Sequence, residues 1–182
     1  MPIDNCNHRL FKHRGQTLHT WGKDTTGLIT YTLNSQGFRS RCEYDWSPEY
    51  AFFGSSSVFG IGVDDKNILV SYFNNSQNYG LSGIYSNQES VINLKNFLNS
   101  GLYTNTYIVF FWTDRINEDI VELAEQVQIL VPNALQISQG KQYPGLINLM
   151  PDIDQDVSGT HPGPKTHQLW AKTIKELYEQ QS

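Results

Sequence analysis

Cysteine is almost missing from this chain: Cys6 and Cys42 are the only two in 182 residues. Two thiols are too few for a disulfide scaffold, so an apolar core must hold the fold. Both are expected to be reduced, and a bridge between them stays open because sequence does not give their separation. Charge is sparse as well. Asp and Glu number 18 against 13 Lys and Arg, a net charge of −5, and no basic cluster occurs. Nucleic acid and anionic membrane surfaces are therefore poor partners. No apolar run approaches the ~18 residues that cross a bilayer, and Met1 to Asn7 carry no apolar signal core. The expected location is cytoplasmic. The sequence has no linker, low-complexity tract or internal repeat. Residues 1–182 thus read as one domain, long enough for a sizeable core and too short for two ordinary ones.

Aromatic residues, by contrast, reach 13% of the chain, which fits a packed globular protein and excludes a disordered one. Residues 1–45 read as an N-terminal arm or hairpin lead-in. Leu28 to Thr32 is β-branched and aromatic, and Asn34 to Gly37 is a turn signal. His8, His13 and His19 invite a metal reading, but their spacing fits no helical face and lacks Cys or acidic partners, so no metal is expected.

Tyr50 to Phe53 is a short apolar run that predicts a buried strand. Ile68 to Phe73 fits a strand or a buried helix, its apolar spacing favouring the helix. Asn78 to Leu81 predicts a short strand. Ser86 to Glu89 is a capping box, followed by Val91, Leu94, Phe97 and Leu98 at helical spacing. Thr106 to Trp112 is continuously apolar, as a central parallel strand should be. Asn117 to Val131 predicts a helix capped by Asn117. Ala134 to Ile137 predicts another strand, and Leu146 to Met150 either a fifth strand or an irregular buried run. Pro164 to Gln180 predicts a final helix with Leu169, Trp170, Ile174 and Leu177 inward. Strands alternating with helices argue an α/β fold with a central parallel sheet covered on both faces.

The chemistry concentrates at two places. After Phe53 the predicted strand breaks into Gly54 and three serines, Ser55 to Ser57. A hydroxyl at the carboxyl edge of an open α/β sheet stands where ligands bind. A helix starting there would offer free N–H groups to an anion. Serine can then act as a nucleophile, given a base. The second place supplies one: Ser158-Gly159-Thr160-His161-Pro162-Gly163, just before the last helix. His167 is a rival base, but it falls where a helix should already run.

Taken together these segments resemble the SGNH hydrolases, the GDSL-type esterase and lipase family. Gly54-Ser55-Ser56 aligns with the family's Gly-Asp-Ser block, and Asn78 to Gly83 resembles the second block. Phe111-Trp112-Thr113-Asp114 falls at the third, normally Gly-x-Asn-Asp. Ser158 to His161 falls at the last, normally Asp-x-x-His. Asn34 to Arg39 also resembles a segment that precedes the first block in many members; a simple hairpin or an extended arm packing on the sheet edge, without chemistry, is the expected reading. The resemblance covers about residues 30 to 180 and implies a three-layer α/β/α sandwich with flavodoxin-like order.

By that resemblance Ser56 is the nucleophile, His161 the base, and the Ser56 and Gly83 amides the oxyanion donors. Three family residues are replaced: Ser55 stands for an aspartate, Thr113 for the oxyanion asparagine, Ser158 for the aspartate that orients the histidine. Asp156 can substitute for that aspartate, with Asp152 and Asp154 as rivals and a Ser–His dyad as the other possibility. Thr113 can offer a hydroxyl to the oxyanion. Trp112, Tyr79, Tyr85 and Tyr143 either line a substrate cleft or pack in the core. The expectation is an ester hydrolase that needs no metal or organic cofactor and acts on a small acyl or carbohydrate O-acetyl ester. A module that binds a glycan or acyl group without turnover is the alternative, and an unused cleft in a structural partner a weaker third.

Overall fold

The computed structural model describes residues 17–18, 29, 31–34, 36–40, 42–81, 86–113, 119–139, 141–149, 152–157, 159 and 161–180. The described residues of the arm pack into the core through Ile29, Tyr31, Leu33, Phe38 and Tyr44. Strand β1 (Thr17–Leu18) pairs antiparallel with β2 (Tyr31–Thr32), and an antiparallel bridge from Leu33 to Arg39 closes the Asn34–Gly37 turn. This is the hairpin that the turn signal predicts. Phe38 and Tyr44 then enter the core, with the Phe38 ring edge-on to Tyr79 at 4.7 Å.

Five parallel strands form the central sheet: β3 (Tyr50–Gly54), β4 (Ser76–Gly80), β5 (Tyr107–Thr113), β6 (Leu135–Gln139) and β7 (Ile147–Leu149), in the order β4-β3-β5-β6-β7. The chain steps outward from β3 to β4, then returns to the other side of β3 for β5. That reversal puts the switch point of the sheet between the carboxyl ends of β3 and β5, the edge at which doubly wound sheets bind ligands. The apolar run at 146–150 resolves as a strand, since Ile147, Asn148 and Leu149 pair with β6.

Side chains alternate across each strand. Phe53, Phe110 and Trp112 pack with Val91, Leu94 and Phe97 of α2 (Asn87–Leu98) and with Ala124 and Val127 of α3 (Ile120–Leu130). Phe52, Val109 and Phe111 pack instead with Leu69, Val70 and, from α4 (Pro164–Glu179), Trp170 and Ile174. Residues Ile108 to Trp112 are all buried, which explains the unbroken apolar run. Trp112 and Tyr79 are core residues and do not line a cleft. Tyr143 is half-buried and packs against the same core, with Lys141 Nζ 5.2 Å from its ring centroid.

Local signals hold with two adjustments. Ser86 caps α2 as the box predicts: its Oγ accepts from Glu89 N at 3.2 Å while Glu89 accepts from Ser86 N at 2.7 Å. For α3 the cap is Asp119, whose carboxylate accepts from Glu122 N at 3.0 Å; Asn117, the predicted cap, lies outside the described residues. The segment at 65–72 forms two 3₁₀ turns, Asp65–Asn67 and Leu69–Tyr72, rather than one helix. Ile68 is extended between them. Among the described residues no helix is long and apolar enough to cross a membrane.

Candidate active site

Strand β3 ends at Gly54, and a four-residue helix, α1 (Ser56–Phe59), begins at once. The abrupt change requires glycine. Gly54 has φ +151°, and a Cβ there would stand 2.8 Å from Val58 Cγ2 and 2.9 Å from Phe111 Cβ. Of the serines at 55–57, Ser55 and Ser57 are buried and Ser56 is half-exposed. Ser56 is therefore the most exposed of the three. The Ser56 and Ser57 amides precede the first intrahelical donors, which are Val58 N and Phe59 N onto Ser55 O. Neighbouring β4 secures the turn: Asn78 Nδ2 donates to Val58 O at 3.0 Å, and Leu81 N donates to Gly54 O at 2.8 Å.

Ser55 occupies the N-cap position but does not cap α1. Its hydroxyl reaches Thr113 Oγ1 at the end of β5, 2.5 Å away. Thr113 is held from behind by Asn87, the first residue of α2. Asn87 Nδ2 donates to Thr113 O at 2.7 Å, and Thr113 N donates to Asn87 Oδ1 at 3.1 Å. The carboxamide thus pairs with the strand end much as a neighbouring peptide would. Sequence reasoning missed Asn87; it reads only as a residue inside the capping box, and nothing local marks a contact 26 residues away.

The histidine loop is narrow. Gln155 and Pro162 form an antiparallel bridge, Asp156 N donates to His161 O at 2.9 Å, and Gly163 N donates to Asp154 O at 3.0 Å. Asp156 and His161 therefore face each other. The Asp156 carboxylate is fully buried; its Oδ1 accepts from His161 N at 3.3 Å and its Oδ2 lies 3.8 Å from His161 Nδ1. Burial pushes the His161 ring below its ordinary pKa, while the Asp156 and Asp152 charges pull it back up in part. The ring is thus biased toward the neutral form that a base needs.

The other carboxylates have separate tasks. Asp154 caps α4, accepting from Lys165 N at 2.9 Å and from Thr166 N and Oγ1 at 2.7 Å each. Burial would raise its pKa, but these hydrogen bonds and the Lys165 charge together hold it below the usual range. Asp152 is exposed; burial and the Asp154 charge raise its pKa against the pull of His161.

The loop docks beside the serine turn. Asp156 packs into the space over Gly62, whose φ is +70° and whose Cβ, if present, would be 1.9 Å from Asp156 Oδ2. The structure thus gathers Ser55 and Thr113 at one contact and Asp156 and His161 at another, the second seated on the turn that follows the Ser56 helix. His167 is excluded as a base: it is buried within α4, and its Nδ1 accepts from Leu69 N at 3.0 Å. Cys42 is exposed. Gly83, Tyr85, Asp114 and Ser158 lie outside the described residues, as do Cys6, His8, His13 and His19.

No protein-family model matches the chain, and no curated protein matches it.

Proposed function

We propose that this chain is a serine ester hydrolase of SGNH type, a three-layer α/β/α sandwich acting on a small acyl or carbohydrate O-acetyl ester. One observation carries the reading. Ser56 opens a helix at the carboxyl end of β3, where the sheet order reverses, while Asp156, which faces His161, is seated on Gly62 in the turn directly after that helix.

In this reading Ser56 Oγ attacks the ester carbonyl carbon and His161 accepts its proton. The tetrahedral oxyanion takes hydrogen bonds from the Ser56 and Gly83 amides, with a hydroxyl of the Ser55–Thr113 pair beside them. Collapse expels the alcohol, which takes the proton back from His161 and leaves an acyl group on Ser56. Water activated by His161 then hydrolyses that acyl-enzyme. Asp156 orients the ring and stabilises its charged form. The chemistry calls on no metal.

A second reading is favoured by the 2.5 Å Ser55–Thr113 contact, which engages both hydroxyls with each other. There the sheet edge binds a glycan or acyl group without turning it over. A fluorophosphonate probe separates the two. Under the hydrolase reading, intact mass and peptide mapping find one adduct, on Ser56, and none in Ser56→Ala. An unlabelled protein, or an adduct on Ser55 or Ser57, would overturn the assignment.

A further inference from the structure

Arg39 is the most heavily bonded side chain near this site, and the chemistry above does not use it. It sits in the hairpin of the arm, yet its side chain is 1% exposed. Nη1 donates to Phe59 O at 3.1 Å and to Gly60 O; Nη2 donates to Val63 O at 2.6 Å and to Asp65 Oδ1 at 2.7 Å; Nε donates to Asp65 Oδ1 at 3.0 Å. A guanidinium has five N–H donors, and these bonds use all of them. The cation also lies 4.7 Å from the Tyr31 ring centroid and 5.6 Å from that of Phe59. With no donor left over, Arg39 is not placed to hold a substrate. What it holds is backbone.

That backbone supports both halves of the site. Helix α1 is a single turn, too short to persist on its own, and Arg39 collects the carbonyls at its carboxyl end. The turn that follows runs through Gly60 and Gly62 at positive φ, and Gly62 N donates to Tyr31 Oη at 2.7 Å. Asp156 rests on Gly62, and His161 rests on Asp156.

We propose that Arg39 is the positioning residue of the site, fixing the turn at 60–63 so that the Ser56 helix and the Asp156–His161 loop keep one mutual placement. The proposal rests on the roles given above to Ser56 and His161, but its structural half is testable without turnover.

Arg39→Lys keeps a positive charge and loses the fork that reaches three carbonyls at once. Hydrogen exchange read by mass spectrometry on the full chain is the first measurement. Exchange should rise on the order of tenfold at the 56–63 turn and also in the 152–163 loop, with α2 and α3 still protected. The second is a cycle of fluorophosphonate labelling rates. Arg39→Lys should slow labelling of Ser56 by about ten- to a hundredfold, and adding His161→Ala should then cost far less than it does in the parent. A residue that only added global stability would leave the histidine dependence intact. If Arg39→Lys does not fold, Tyr31→Phe removes the Gly62 N–H acceptor and should loosen the same two segments more mildly. Exchange confined to the 56–65 turn, or spread evenly over the chain, overturns the proposal. Coupled loosening in a parent that the probe does not label upholds the positioning role and sinks the hydrolase reading instead.

Discussion

Ser55 Oγ and Thr113 Oγ1 stand 2.5 Å apart at the carboxyl edge of the sheet, joining the ends of two parallel strands through their hydroxyls. One hydroxyl donates to the other, so the pair keeps one O–H proton to aim elsewhere. Breaking one side leaves the buried partner unpaired. Thr113→Val should therefore destabilise by about 1–3 kcal/mol, and Ser55→Ala by less, because Thr113 is only half-buried. The double variant should recover part of the loss, with a coupling of about 0.5–3 kcal/mol in a urea-unfolding cycle. Strict additivity would mean that the contact contributes nothing of its own.

Asn87 is the support behind that pair. Its carboxamide matches the donor and the acceptor of Thr113 together. Asn87→Asp keeps the shape but sets a carboxylate oxygen against the Thr113 carbonyl. We expect a loss of about 2 kcal/mol or more at pH 7, shrinking as the carboxyl is protonated at low pH. Urea midpoints at pH 7 and pH 4 check this, with Asn87→Ala as the reference that loses both bonds at any pH.

Elements whose signal is local were legible in the sequence: the β5 run, the Ser86–Glu89 box, the final helix and the short strand before Gly54 all stand where periodicity and capping put them, although the inward face of α4 is Trp170, Ala171, Ile174 and Tyr178, with Leu169 and Leu177 of the predicted stripe only half-buried. The strands and helices alternate as predicted up to β6, which passes to parallel β7 without a helix between them, and the parallel sheet follows. Contacts across long sequence separations were not legible. Arg39 reads as one residue of a hairpin, and its bonds to Phe59, Gly60 and Val63 exist only because the arm folds back over α1. Asp156 was one of three acidic candidates in its loop. What singles it out is an empty space over Gly62, which sequence spacing does not encode. Tyr79 and Trp112 were ambiguous because aromatic residues suit core and cleft alike; burial assigns them to the core.

His167 gives the fold a defined acid limit. Its Nδ1 accepts from Leu69 N, so the ring must be neutral to keep that bond. Burial, assisted by the Arg39 charge and opposed by Asp154 and Asp156, lowers its pKa from 6.5 to about 4. The folded pKa lies below the unfolded one, so the unfolded chain binds the proton first. The stability contribution is full above pH 6.5 and is lost as pH falls toward 4, by about 3 kcal/mol. His167→Gln removes the titrating group while the carboxylates still titrate in both proteins. The fall in urea midpoint between pH 7 and pH 4.5 should therefore be smaller in the variant than in the parent. Equal falls would show that His167 does not carry the acid limit.

In the proposed hydrolase reading, Asp156 is the residue on which the base depends. Its buried carboxylate touches His161 twice, through Oδ1 at the backbone amide and Oδ2 facing the ring at 3.8 Å. Asparagine fills the same space over Gly62 and keeps an oxygen for the amide, so Asp156→Asn removes mainly the charge. Two consequences follow. The imidazolium formed during acyl transfer loses its stabilising partner, so kcat on an activated ester such as p-nitrophenyl acetate should drop with little change in KM. The upper bound is the ~10⁴-fold loss of a full triad. The second consequence has a definite sign. The Asp156 charge raises the His161 pKa against burial, so its removal should move the acid limb of the pH–rate profile, and the His161 titration followed by NMR, to lower pH. A structural role alone would lower stability without moving that titration. Unchanged turnover together with a shifted titration would mean that Ser56 and His161 work as a dyad and that the carboxylate serves only to hold the loop on Gly62.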